Sequence, residues 1–177
     1  MKTQVFINLE GKRSFVGLMA SDHREIVFQY ASAFLKSGLE ISPLAVPLQS
    51  GILKFASAPF GGLPGFAADS LPDGWGNLLL NRQLVRRGER LSDIDPLRRL
   101  CWVGSHGMGA LEYEPEESAV NEFQADEIRL DVLAEDADAI LAERDSGSAL
   151  DALACLNGSS GGARPKIVAW FLPTDTD

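Results

Sequence analysis

Between Val5 and Tyr30 the chain carries three short apolar runs divided by two turns, a pattern that commits its N-terminal part to an antiparallel meander. Val5-Phe6-Ile7-Asn8-Leu9 reads as the first strand and Glu10-Gly11 as the turn, with Phe15-Val16-Gly17-Leu18-Met19 returning. Ser21-Asp22-His23 turns the chain again into Glu25–Tyr30, where Ile26, Phe28 and Tyr30 share one face. His23 is read as a polar loop residue.

Helical signals follow the strands. Ala31–Lys36 is a short helix candidate ending at Gly38, which can take the left-handed conformation. Ile41–Leu48 holds two prolines and is expected to run as an extended connector or edge, and 51–55 as one more short strand. After Asp69 and Asp73, either able to cap, Trp75, Leu78, Leu79 and Val85 follow helical spacing up to Gly88, with Leu80 and Leu84 widening the stripe. Asp95-Pro96 marks another helix start, running to Gly104, and a strand is expected over 110–114. Pro115–Glu122 is acidic and aperiodic. Beyond it Asp131 is expected to cap a helix bearing Leu133, Ala137, Ile140 and Leu141, and a shorter helix spans Leu150–Leu156. The fold class is therefore α+β: an antiparallel meander or small barrel-like sheet with packed helices.

Composition narrows the function classes. A formal net charge of -9 disfavours direct nucleic-acid binding and attraction to anionic lipid. Arg82, Arg86, Arg87, Arg90, Arg98 and Arg99 cluster in sequence and are read as a solvated helix face. Cys101 and Cys155 lie far apart among apolar residues without metal-ligand spacing, which fits buried thiols in a cytoplasmic protein. No apolar run approaches the length of a membrane span, and the N-terminus lacks the apolar stretch of a secretion signal.

One segment invites chemistry. Gly158-Ser159-Ser160-Gly161-Gly162-Ala163-Arg164-Pro165-Lys166 precedes the apolar run Ile167–Leu172, expected to be a strand. A Gly/Ser segment whose backbone N–H groups can turn toward an anion, with a basic residue at its end, suits a phosphate. It has neither Walker nor GxGxxG spacing. Asp69 and Asp73 superficially offer an acid/base pair but are read as capping and turn residues. Ser105 and His106 beside Cys101 suggest a nucleophile and base, yet no third orienting residue can be named.

Ser159–Lys166 resembles the nucleotide-proximal loop of HipA-family serine/threonine kinases, the toxins of bacterial toxin–antitoxin pairs. Asp69-Ser70-Leu71-Pro72-Asp73-Gly74-Trp75-Gly76 and Val103-Gly104-Ser105-His106-Gly107-Met108-Gly109-Ala110-Leu111 resemble the N-terminal part of the same family, in the same order. The resemblance implies an ATP- and Mg²⁺-dependent protein kinase with a protein substrate and a helix-turn-helix antitoxin partner. Its loop residues would be Ser159, Ser160, Gly161, Gly162, Ala163, Arg164 and Lys166, with Ser159 open to autophosphorylation. Phosphate there would displace ATP and switch the kinase off.

In the family the catalytic and metal-binding residues lie well downstream of this loop, whereas only eleven residues, Ile167 to Asp177, follow Lys166 here. The chain is therefore expected to be the N-terminal portion of such a kinase, inactive alone. Its parts would be an N-terminal subdomain over 1–114, a linker over 115–126 and the beginning of a kinase-like N-lobe over 127–177. The alternative is a stand-alone, non-catalytic interaction protein that binds a kinase subunit or an antitoxin. The apolar run 167–172 is expected to pack onto the 131–156 helices or to pair with another copy of the chain.

Overall fold

Alternating apolar and polar residues build β1 (Lys2–Leu9), β2 (Lys12–Ser21) and β3 (Ile26–Tyr30), which pair antiparallel in succession. The computed structural model describes residues 1–21, 25–117, 129–144, 147–156, 162 and 164–167. Two short strands, β4 (Leu53–Lys54) and β5 (Leu111–Glu114), extend the sheet at opposite edges, giving the order β4-β3-β2-β1-β5. The sheet is open. Barrel-like closure does not form because β4 and β5, the strands that would have to meet, are too short and lie at opposite edges.

Register places Tyr113, Val5, Gly17 and Tyr30 in one row across four strands, all on the buried face. Between the pairs Val5–Gly17 and Phe6–Phe15, β2 carries one extra residue, Val16. This bulge breaks strict alternation, burying Val16 and leaving Phe15 outside against Phe6, their ring centroids 5.3 Å apart. The buried face joins Met19, Phe28, Phe34, Val46, Leu63, Leu97 and Leu100 in the main core.

Two tyrosine hydroxyls in this core find partners. Tyr113 Oη donates to Ser70 Oγ at 2.7 Å and Tyr30 Oη to the Val46 carbonyl at 2.9 Å. Burial, more than any neighbouring charge, pushes both phenols up from their ordinary range. Above about pH 10 the unfolded chain releases these protons while the folded chain keeps them, so νU falls below νN and stability declines with rising pH. Urea titrations from pH 8 to 11 are expected to show a flat stability up to about pH 10 and a loss beyond it that Tyr113→Phe reduces. A profile unchanged by that substitution would assign the loss elsewhere.

The helices start and stop where local chemistry directs. α1 (Ser32–Leu35) is one short turn before Gly38, which takes the left-handed conformation at φ 70°. The 41–48 connector is not extended: it folds into turns, with Val46 N–H donating to Ser42 O at 2.8 Å, because each proline restricts its own position without straightening the residues between them. α2 (Gly65–Ala68) leads to α3 (Gly74–Arg86), and a 3-10 turn at Leu91–Asp93 precedes α4 (Pro96–Val103). Asp95 caps α4 by accepting from Leu97 N at 2.8 Å, with Pro96 in the first turn. α5 (Leu130–Leu141) and α6 (Gly147–Cys155) complete the described elements.

Three details depart from the sequence reading. Val85 is 58% exposed, because the buried stripe of α3 runs through Trp75, Leu79, Leu80, Gln83 and Leu84. Leu141 is half exposed at the end of α5, whose inner face is Leu133, Ala137 and Ile140. Asp131 lies inside the first turn of α5 rather than at its cap and pairs with Arg129 at 2.5 Å.

α3 separates two smaller clusters. Trp75 and Leu79 meet Leu133, Ala137, Ile140, Leu150 and Leu153 of α5 and α6. Leu80 and Leu84 meet Ile94 and Trp102. Ile167 is partly buried at the rim of the first of these clusters, and 168–172 lie outside the described residues, as does His23. Among the described residues no helix is long and apolar enough to cross a membrane.

Candidate functional site

The Gly-rich segment meets the N-terminus of α3. Asp73 is the N-cap, its Oδ1 accepting from Gly76 N at 3.4 Å. Its Oδ2 lies 3.4 Å from Lys166 Nζ, with the two side chains 19% and 20% exposed. Lys166 Nζ also donates to the Gly162 carbonyl at 3.3 Å, and that carbonyl accepts from Trp75 N at 3.2 Å. One free N–H of the helix end is therefore satisfied by the Gly-rich segment itself. Two of the motifs, with Asp73 and Lys166 93 residues apart, are joined by two polar contacts, Lys166 to Asp73 and Trp75 N to the Gly162 carbonyl.

Of the loop residues singled out in sequence, Gly162, Arg164 and Lys166 are described; Ser159, Ser160, Gly161 and Ala163 lie outside the described residues. Arg164 is exposed, whereas Lys166 is half buried against Asp73. The role of Asp73 as partner of Lys166 has no local signal, since capping alone accounts for an aspartate before Gly-Trp-Gly. Asp69 stays exposed at the end of α2 and makes no pair with Asp73.

The third motif lies next to the second. Ser70, Pro72 and Gly76 face Val103, His106 and Gly107 across a small open cleft that Ala154 of α6 helps to line. Tyr113 reaches from β5 to Ser70 beneath it, so the sheet and both motifs share one support.

Nucleophilic catalysis is not built here. Cys101 Sγ is buried 3.5 Å from Thr3 Oγ1, and burial pushes its thiol up, away from the reactive thiolate. Ser105 Oγ and His106 Nε2 do not form a relay with each other. Each meets the Glu116 carboxylate, at 3.1 and 3.2 Å. The side chain of Cys155 lies outside the described residues.

The arginine cluster is only partly a solvated face. Arg86, Arg87 and Arg90 are exposed, whereas Arg82, Arg98 and Arg99 are half buried. Arg86 pairs with Asp151 at 3.3 Å, Arg90 with Asp93 at 2.9 Å, and Arg87 lies 4.6 Å over the Trp102 ring. Arg82 and Arg99 donate to the Ile140 and Leu91 carbonyls. Arg98 bridges Glu89 and Glu117, and those hydrogen bonds, Glu89 first, raise its pKa further above the ordinary range. Its bond to Glu117 fastens the start of the predicted linker, of which 118–126 lie outside the described residues.

No curated protein and no solved structure matches the chain. The family profile described as HipA N-terminal domain matches residues 7–114, which takes in the end of β1, the other four strands, α3, α4 and two of the three motifs. With more than half of its length covered by that profile, the chain belongs to the HipA N-terminal domain family.

Proposed function

We propose that this chain is the N-terminal part of a HipA-like protein serine/threonine kinase in which the 158–166 segment lies at the triphosphate of Mg·ATP. The carrying observation is the docking of Gly162 and Lys166 at the N-terminal end of the 13-residue helix α3. A helix N-terminus and an ammonium group both favour a phosphate, and glycine lets the backbone approach it closely. Lys166 would leave Asp73 for a phosphate oxygen, and the downstream lobe would supply the acceptor base and metal ligands. The surface over 1–114 would receive the helix-turn-helix antitoxin. That the described arginines in the 82–99 cluster are already partnered supports assigning DNA contact to the antitoxin rather than to this chain.

Calorimetric titration of Mg·ATP tests the reading. Binding is expected, and Lys166→Ala should weaken it roughly tenfold or more, the scale of losing one hydrogen bond to a charged group. Equal binding by both proteins would remove Lys166 from the site.

The second reading is a non-catalytic interaction protein. It is favoured by the same ion pair, since Asp73 already neutralises Lys166 without any nucleotide. Absence of Mg·ATP binding together with tight capture of a purified antitoxin would support it.

A further inference from the structure

We infer that Asp73 is a positioning residue that holds the Gly-rich segment against α3 through Lys166. Its two carboxylate oxygens are divided between two tasks: Oδ1 caps the helix at Gly76 N, and Oδ2 takes the Lys166 ammonium. The ammonium then bonds to the Gly162 carbonyl, which in turn accepts the Trp75 amide, next but one to Asp73. The contacts form a closed ring. If one breaks, the others lose their geometry.

Two further observations bear on the same point. Gly162 sits at φ 102°, a conformation that disfavours any other residue there, while the space around it, with Lys166 Nζ 3.4 Å from where a Cβ would lie, is not closed. Ile167, next to Lys166, packs at the rim of the cluster around the fully buried Trp75 ring. Polar ring and apolar anchor therefore act on adjacent residues and fix the segment on the helix end. The purpose of this docking, holding the loop at the helix end until a phosphate draws Lys166 from Asp73, rests on the function proposed above; the docking itself does not.

The test uses the full chain and amide hydrogen exchange. Asp73→Asn keeps a good N-cap but removes the charge, and Lys166→Gln removes it from the other side. In each, the Trp75 amide is expected to exchange about fivefold to tenfold faster, while the Gly76 amide and those of Leu79–Leu84 keep their rates. Lys166→Arg should restore protection, and the double variant Asp73→Asn/Lys166→Gln should be no faster than either single one. A purely structural cap would instead move Gly76 and leave Lys166→Gln silent. Wild-type exchange at Trp75 in Asp73→Asn, or additive effects in the double variant, would overturn the inference. Failure of Mg·ATP to bind, with the exchange pattern intact, would remove the nucleotide reading alone.

Discussion

Trp75→Ala is expected to lower the unfolding free energy by about 3–5 kcal/mol, the usual cost of deleting a fully buried large aromatic. Trp75 has no exposed surface and stands at the centre of the cluster that joins α3 to α5 and α6. Its removal would leave Leu133, Ile140, Leu150 and Leu153 facing a void. The loss should also be partly local, because α5 and α6 reach the rest of the protein chiefly through α3. Urea denaturation followed by circular dichroism should then show a lower midpoint with a broadened or two-step transition. Trp75→Phe is the control: it keeps an aromatic ring and deletes an indole N–H that has no hydrogen-bond partner among the described residues. It should cost roughly 1–2 kcal/mol. If Trp75→Ala cost less than about 1 kcal/mol, the cluster would not be what attaches these helices.

Gly17→Ala is expected to cost about 3 kcal/mol or more, at the upper end of overpacking effects. A Cβ at this position would fall 2.3 Å from the Gln29 carbonyl oxygen and 2.9 Å from the Phe28 ring. The ring could turn. The carbonyl belongs to β3 and cannot retreat without breaking the ladder that pairs β3 with β2. At about 2–4 °C per kcal/mol for a chain of this size, the melting temperature should drop by roughly 6–12 °C. Differential scanning calorimetry reads this directly, and a shift below about 2 °C would mean that the two strands slide apart cheaply.

Features written in short stretches of chain are legible in the sequence alone. Glu10-Gly11 makes a tight reversal, Asp95-Pro96 starts a helix and Gly38 ends one, and each acts through its own backbone or nearest neighbours. Asp73 as a cap belongs to the same class. Contacts between distant parts of the chain are not legible in this way. β5 pairs with β1 across about a hundred residues, and nothing around Tyr113 names Val5 as its partner. The exposure of Val85 escapes the pattern because helical spacing marks a stripe without saying what covers its edge. The bulge at Val16 likewise depends on the register of two strands.

The candidate site divides along the same line. Gly162 and Lys166 stand out for their residue types in a Gly-rich run. Their attachment to Asp73 and Trp75 requires the fold, because it links positions 93 residues apart.

Arg98, bonded to Glu117, fastens the chain at the point where it leaves the sheet region, and α5 begins only after Arg129. Twelve peptide steps separate Glu117 from Arg129, so whatever path they take, these two residues can never be more than about 43 Å apart. α5 and α6 are therefore covalently tied within a bounded distance of α3, so their docking on it is an intramolecular step. A tie of that length keeps the surfaces that meet around Trp75 within reach of each other, and Gly162 and Lys166, which follow α6 in the chain, reach the helix end on the same short tether.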